Sequence, residues 1–128
     1  MVVDDDCDSR ELMHAVLESR GMVVEESDSA NAALDALARE HFDLLISDIG
    51  MPEVDGYSLI RAVRSRAEGI RIPAVALTAY VRKEDCRQVL LAGFDAHFGK
   101  PCDFAALLPA LMLLLGAAAA DHMVADAS

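Results

Sequence analysis

The fold is decided by the stretch FDLLISDIGMP, residues 42–52. Its apolar run is continuous rather than alternating, which predicts a strand that is buried on both faces. The dipeptide Met51-Pro52, and Asp55-Gly56 shortly after it, then turn the chain into a loop. Asp48 therefore stands at the carboxyl end of a central strand, in the type of sheet that is covered by helices on both sides.

Weaker strand patterns alternate with helical patterns on either side of this stretch. Strands are predicted over 1–3, 22–25, 42–48, 74–77 and 96–98, and helices over 9–20, 30–40, 57–66, 82–92 and after Asp103. The first strand is short. Alternation of this kind indicates an α/β domain with a parallel sheet, and right-handed crossovers place helices on both faces. We therefore expect a doubly wound, five-stranded parallel sheet.

Length, charge and cysteine content exclude several classes of protein. A chain of 128 residues suits one domain with one core. The formal net charge of -11, from 22 acidic against 11 basic residues, argues against direct binding of nucleic acid, which needs a basic surface. Three cysteines without metal-site spacing indicate reduced thiols and no zinc. Acidic residues begin at Asp4, so no secretory signal is expected and a cytoplasmic location is predicted.

The last predicted helix has an unusual composition. Residues 104–120 carry no charge, but Pro109 and Gly116 argue against membrane insertion. A proline inside a helix costs about 3 kcal/mol, which predicts a kink, or a turn before a helix that restarts at Pro109. Residues 111–115 are apolar on every side, which favours a homodimer or a neighbouring domain on this helix. We expect one domain over 1–116 and a flexible, small-residue tail over 117–128.

Acidic, hydroxyl and amine side chains follow the predicted strands. They are Asp4, Asp5, Asp48, Thr78 and Lys100. The carboxyl ends of the strands meet at one crevice in an open parallel sheet, although each such residue alone is more often a helix cap or a solvated side chain. Two carboxylates about 4 Å apart repel by roughly 4 kcal/mol near a protein surface. The crevice must then hold a proton, a cation or both, and its oxygen ligands suit Mg²⁺. A carboxylate nucleophile beside a lysine fits phosphoryl transfer.

Four segments, in this order, resemble the receiver domains of bacterial response regulators. They are Val2-Val3-Asp4-Asp5, Ser47-Asp48-Ile49-Gly50-Met51-Pro52 with Asp55-Gly56, Leu77-Thr78-Ala79, and Gly99-Lys100-Pro101. The likeness covers about residues 1–115, and residues 72–101 are most similar to receivers attached to hybrid histidine kinases. It implies a flavodoxin-like (βα)5 fold with strand order 2-1-3-4-5, and a receiver domain over 1–116.

The resemblance implies a phosphoacceptor and a Mg²⁺ site. Asp48 would accept the phosphoryl group. Asp4 and Asp5 would form the acidic pair, with Asp5 bound to the metal directly and Asp4 through water. The backbone carbonyl of Gly50 would complete the protein ligands, together with Asp48 itself.

The resemblance also implies roles at the ends of the last two strands. Thr78 would bind a phosphoryl oxygen and carry the conformational signal, while Ala79 is small and leaves a path to the phosphate. Lys100 would pair with the phosphate, and Pro101 would follow a cis peptide bond. His97 stands where receivers commonly have a switch tyrosine or phenylalanine. It either packs as an ordinary ring or couples its own protonation to the switch.

The implied function is that of a regulatory phosphoacceptor rather than an enzyme. It would take its phosphoryl group from a histidine kinase or a phosphotransfer protein and then switch conformation. An inert pseudo-receiver is disfavoured because the five strand-end residues are present. A dehalogenase-type phosphatase needs a second acid two residues after its nucleophile, where Gly50 stands. A flavin carrier needs a Ser/Thr/Gly-rich loop after the first strand, where this chain has acids.

Overall fold

The computed structural model describes residues 1–50, 55–65, 72–78, 83–100 and 102–127, with 83–86 and 117–127 described by their backbone alone. Its elements are β1 (Val2–Val3), α1 (Cys7–Glu18), β2 (Glu26–Ser27), α2 (Ala30–Arg39), β3 (Leu45–Asp48), α3 (Gly56–Ser65), β4 (Ala74–Thr78), α4 (Lys83–Ala92), β5 (Ala96–Gly99) and α5 (Phe104–Ala127). The strands form one parallel sheet in the order β2-β1-β3-β4-β5. The predicted doubly wound fold and its strand order are confirmed.

The second strand lies later in the chain than the sequence pattern predicts. Val2 pairs with Glu26, and the two residues of β1 set the length of the ladder. The apolar run at 22–25 therefore precedes β2 instead of forming it. Its first residue, Met22, caps the carboxyl end of α1, because its N–H donates to the carbonyl of Leu17 at 3.3 Å. Gly21 makes this return possible with a φ of 84°.

Successive side chains of β1, β3 and β4 enter two different cores, as the pleat of a strand requires. On one face, Val3 and Leu45 pack with residues of α2, α3 and α4, among them Ala33, Leu59 and Val89. On the other face the sheet packs against α1 and α5; this core contains Val2, Met13, Leu17, Ile46, Val75, Leu77, Leu107 and Leu111. The helices thus cover both faces, which places the site at the carboxyl edge of the sheet.

The last helix continues through Pro109 without a break, so the predicted restart of the helix at Pro109 is wrong. Asp103 caps the first turn, since its side chain accepts the N–H of Ala105 at 3.1 Å. Met112 and Leu113 are 57% and 75% exposed. The domain boundary at 116 and the flexibility of 117–128 stay predictions. Among the described residues, no helix is both long and apolar enough to cross a membrane.

Candidate functional site

Three carboxylates meet at the carboxyl edge of the sheet. Because β1 and β3 are neighbours in the sheet, Asp4 and Asp48 emerge side by side. Asp4 is 1% exposed and Asp48 is 7% exposed, whereas Asp5 lies at the surface. One carboxylate oxygen from each of the three lies within 4.8 Å of the others. The structure therefore brings together the acids that the sequence places at the ends of two separate strands.

Lys100 bridges the two buried carboxylates. Its Nζ lies 2.8 Å from Oδ2 of Asp4 and 3.3 Å from Oδ2 of Asp48. The backbone holds this lysine in place, because the N–H of Lys100 donates to the carbonyl of Thr78 at 2.9 Å. Thr78 ends β4 and is itself buried. A residue 96 positions away along the chain thus provides the positive charge that the acids need.

The electrostatics of this cluster are unbalanced. Burial raises the pKa of the Asp48 carboxyl above its usual range; Lys100 opposes this rise and the charge of Asp4 adds to it. Burial alone would lower the pKa of Lys100, but the hydrogen bond to Asp4 and the charges of both carboxylates raise it. The pKa shifts therefore favour the charged form of Lys100 and disfavour the charged form of Asp48, as burial beside a second acid requires.

The third acid of the amino-terminal run, Asp6, caps a helix and is not part of the carboxylate cluster. Asp6 is the N-cap of α1, and its side chain accepts the N–H of Ser9 at 3.1 Å. Hydrogen bonds from the hydroxyl and the N–H of Ser9 lower the pKa of Asp6. The N–H of Asp6 donates to Oδ1 of Asp4 at 2.9 Å, so the start of the helix also orients Asp4.

Two residues at this edge were not predicted from the sequence. Arg10 donates from Nη1 to the backbone carbonyl of Asp4 at 2.8 Å and from Nε to Glu26 at 3.0 Å. Gly56 begins α3 so close to β3 that a Cβ there would lie 2.6 Å from the carbonyl oxygen of Asp48. The available signals were an arginine in the first turn of the helix after the acids, and a glycine eight residues after Asp48.

The remaining predicted residues stand as follows. Gly50 donates its N–H to Oδ1 of Asp48 at 3.3 Å, and its carbonyl as a metal ligand stays a prediction. His97 pairs with Ala76 in the sheet and is half-buried, and its part in a switch stays a prediction. Ala79 and Pro101 lie outside the described residues, and so do the predicted phosphate path and the cis peptide bond.

A doubly wound sheet with buried acids and a lysine at its carboxyl edge defines a class of α/β proteins that handle charged ligands at that edge. The sequence model of the response regulator receiver domain family matches residues 1–112 of the chain. The chain belongs to this family, whose members are regulatory phosphoacceptor domains of two-component signalling and generally bind Mg²⁺ at an acidic pocket.

Relatives and solved structures agree with this assignment. The chain is 47% identical to an uncharacterised 14.6 kDa protein of Leptolyngbya boryana over 103 residues, 80% of this chain and 79% of that protein. It is 34% identical to the sensor histidine kinase RcsC of Escherichia coli over 101 residues, 79% of this chain but only 10% of the kinase. A response regulator from Chloroflexus aurantiacus has a TM-score of 0.85 and 29% identity, with 90% of this chain and 94% of that chain covered.

Proposed function

We propose that Asp48 accepts a phosphoryl group from a phosphohistidine donor and that the modified domain then switches conformation. The observation that carries this proposal is a buried carboxylate whose oxygen lies 3.3 Å from the Lys100 ammonium, at the carboxyl edge of the sheet. Such a carboxylate is a nucleophile held beside the positive charge that a phosphoryl group requires.

The step needs one bond to form and one to break. An oxygen of Asp48 forms a bond to phosphorus while the bond from phosphorus to the donor's imidazole nitrogen breaks. The imidazole leaves with the bonding electrons and takes a proton from solvent. Lys100 then exchanges its contact with Asp48 for a phosphoryl oxygen, and the hydroxyl of Thr78 donates to another. These two groups hold the negative charge of the acyl phosphate.

The acidic cluster fits Mg²⁺, because it offers hard carboxylate oxygens within 4.8 Å of one another and an excess of negative charge. Asp4, Asp5, Asp48 and the carbonyl of Gly50 would hold the ion. When bound, the ion neutralises charge on the phosphoryl oxygens during transfer. The side chain of Asp4 already accepts hydrogen bonds from Lys100 and from the N–H of Asp6, so its orientation is fixed before the ion binds.

The proposed role is regulatory rather than enzymatic. One transfer modifies the chain itself, and the signal leaves through Thr78 at the end of β4 and the half-buried ring of His97 within β5. His97 takes part in the switch either as a packed ring or through coupling of its own protonation to the switch. Measuring the response to phosphorylation for wild type and His97→Phe between pH 6 and pH 8 separates the two, because parallel curves would exclude protonation.

The proposed partner is a histidine kinase or a phosphotransfer protein. The likeness to RcsC supports this, although the chain corresponds to a small part of that kinase. Met112 and Leu113 expose an apolar surface of α5 that we assign to a homodimer or a neighbouring domain. A monomer at every concentration in sedimentation would argue against the homodimer. The absence of direct nucleic-acid binding and the cytoplasmic location stay predictions.

The deciding experiment is intact mass after incubation with a small acyl phosphate, with and without Mg²⁺. Wild type is expected to gain one phosphoryl group only when Mg²⁺ is present. Asp48→Asn keeps the size of the side chain but removes the nucleophile, so it should gain none. Asp43→Asn, which changes an exposed acid at the opposite end of β3, is the matched control and should gain as wild type does. No gain in any sample would favour an inert binding module.

A further inference from the structure

The peptide bond between the two acids of the proposed metal site is held by a side chain from α1. The carbonyl of Asp4 belongs to the peptide that joins Asp4 to Asp5, and Nη1 of Arg10 donates to it at 2.8 Å. On the other side of the same residue, the N–H of Asp4 donates to the carbonyl of Ser27 at 3.1 Å. A peptide is planar, so a fixed carbonyl also fixes the direction in which the chain continues to Asp5.

Arg10 is itself held by an acid of the neighbouring strand. Its Nε lies 3.0 Å from Oε1 of Glu26, and the side chains of Arg10 and Glu26 are 17% and 29% exposed. The guanidinium is a rigid plane with several donors, so it can hold a carboxylate with one nitrogen and a carbonyl with another. The other oxygen of Glu26 lies 2.6 Å from Nδ1 of His14, so both ends of this carboxylate are engaged. The position of the guanidinium is therefore determined from two strands and one helix.

We propose that Arg10, held by Glu26, is a positioning residue that orients the peptide between Asp4 and Asp5 and so presents both acids to Mg²⁺. This inference rests on the proposed function, because it concerns the same metal site. Asp5 is exposed and lies just past the end of β1, so the direction of its main chain depends on what holds this peptide. Groups behind the ligands of a metal set its affinity in this way, and their loss typically weakens binding about tenfold or more.

Plain electrostatics predicts the opposite result, which makes the inference testable. Removing the positive charge of Arg10 makes the surroundings of the three acids more negative. A long-range charge effect would then tighten the binding of Mg²⁺. Loss of positioning would weaken it. The direction of the change in Kd thus decides between the two roles of Arg10.

The test measures Mg²⁺ binding to the whole chain by calorimetry, for folded proteins well below their unfolding temperatures. Arg10→Met is expected to raise Kd about tenfold. Arg10→Lys keeps the charge but has one donor nitrogen in place of a rigid fork, so it should fall between wild type and Arg10→Met. Glu26→Gln keeps an acceptor for Arg10 and should raise Kd by a smaller factor, about threefold.

Arg64→Met is the matched control. Arg64 is also 17% exposed and also joins backbone carbonyls to a carboxylate, but it does so at the opposite edge of the sheet. It should leave the Kd for Mg²⁺ unchanged within about twofold, although it destabilises the fold. A general loosening of the protein would raise Kd in Arg64→Met and Arg10→Met alike, and that result would overturn the inference.

An unchanged or tighter Kd in folded Arg10→Met also overturns the inference and leaves the proposed function standing, provided that Asp48→Asn weakens Mg²⁺ binding. If wild type itself binds no Mg²⁺, the proposed function fails and this inference fails with it. Should Arg10→Met not fold, the comparison of Arg10→Lys with wild type gives the same decision, since lysine keeps the positive charge and removes only the rigid fork of donors.

Discussion

The two edges of the sheet treat buried charge in opposite ways. At the carboxyl edge, Lys100 lies against Asp4 and Asp48, and Asp5 brings a third carboxylate to the same cluster. At the amino edge, Arg64 meets Asp95 at 3.1 Å, with side chains that are 17% and 16% exposed. Arg64 also donates to the carbonyl of Gly93 at 2.9 Å, and Asp95 accepts the N–H of Ala74 at 2.8 Å. One edge has surplus negative charge, and the other has charges that are matched.

Matched charges stabilise the fold, whereas surplus charges of one sign are suited to binding a ligand of the opposite sign. A buried ion pair with its hydrogen bonds satisfied ties together the ends of α3, α4, β4 and β5, so its loss costs stability. A cluster of like charges opposes folding, and such clusters are found at functional sites, where they bind a cation or react with a phosphoryl group.

Gly56→Ala should have the largest effect, because it disturbs the backbone of the carboxyl edge. The new Cβ would lie 2.6 Å from the carbonyl oxygen of Asp48 and 2.7 Å from Cα of Ile49, so backbone must move. We expect the free energy of unfolding to fall by about 3 kcal/mol in urea titrations. Gly50→Ala is the control at the same edge, since its Cβ would meet nothing within 4 Å. Equal losses in both variants would contradict the explanation by close contact.

Arg64→Met should destabilise the amino edge by about 2 kcal/mol, because Asp95 would lose its charged partner and two carbonyls would lose a donor. Urea unfolding of the variant measures this loss. Arg39→Met removes an exposed arginine whose Nε donates to the carbonyl of Asp35 in its own helix, and should change stability by less than about 0.5 kcal/mol. If Arg64→Met is as mild as Arg39→Met, the matched charges at this edge do not stabilise the fold.

An apolar extension before Met1 should stabilise the amino edge by about 1 to 2 kcal/mol. The terminal ammonium donates to the carbonyl of Leu44 at 3.1 Å, and burial lowers its pKa from 8.0. A cavity of about 960 Å³ beside it is lined in part by Val23, Val24 and Phe42. Adding Val-Leu-Ile replaces the buried charge by a peptide N–H and offers apolar side chains to this cavity.

The gain from the extension has a definite pH dependence. The folded protein disfavours the charged ammonium of Met1, so the penalty is present at low pH and disappears as pH rises above the ordinary value of 8.0. Thermal unfolding between pH 6 and pH 9 should show a gain that shrinks as pH rises. A Gly-Ser-Gly extension controls for the charge alone, and it should give only the pH-dependent part. Equal gains from both extensions would show that the cavity contributes nothing.

Asp48→Asn should stabilise the protein in Mg²⁺-free buffer by up to about 1 kcal/mol, because it removes from a functional site a charge that opposes folding. Burial raises the pKa of Asp48 above its ordinary value of 3.8, so wild type loses stability as pH rises through the raised value. The advantage of the variant should thus be absent at pH 3 and present at pH 7. Urea titrations at both pH values measure it, and a variant less stable than wild type at pH 7 would refute the surplus charge.

The sequence predicted the strand-end residues well because the rule that places them is topological. Once the parallel strands are known, Asp4, Asp48, Thr78 and Lys100 must converge at one edge. The contacts of Gly56 were not predictable, because they depend on the angle at which α3 meets the sheet. The bounds of β2 depended likewise on the length of its neighbour β1. Composition says which residue types a site needs, whereas tertiary packing decides which other residues hold them.

His14→Gln should have the smallest effect. It tests whether His14 contributes charge or packing beside Glu26, which holds Arg10. The imidazole lies 2.6 Å from Glu26 and 2.8 Å from Glu18. The hydrogen bond to Glu26 raises the pKa of His14, burial opposes this rise, and Glu18 adds to it. The stabilisation is therefore complete below the ordinary value of 6.5 and is lost as pH rises through the raised value.

Urea titrations of His14→Gln between pH 5.5 and pH 9 should accordingly show a deficit at acidic pH that closes at alkaline pH. His41→Gln, at a position where the imidazole is 62% exposed, is the control and should change stability by less than about 0.5 kcal/mol. A deficit of His14→Gln that stays constant with pH would mean that His14 contributes packing rather than charge. Glu26 would then hold Arg10 without help from His14, and the chain of contacts that reaches Asp4 would begin at Glu26.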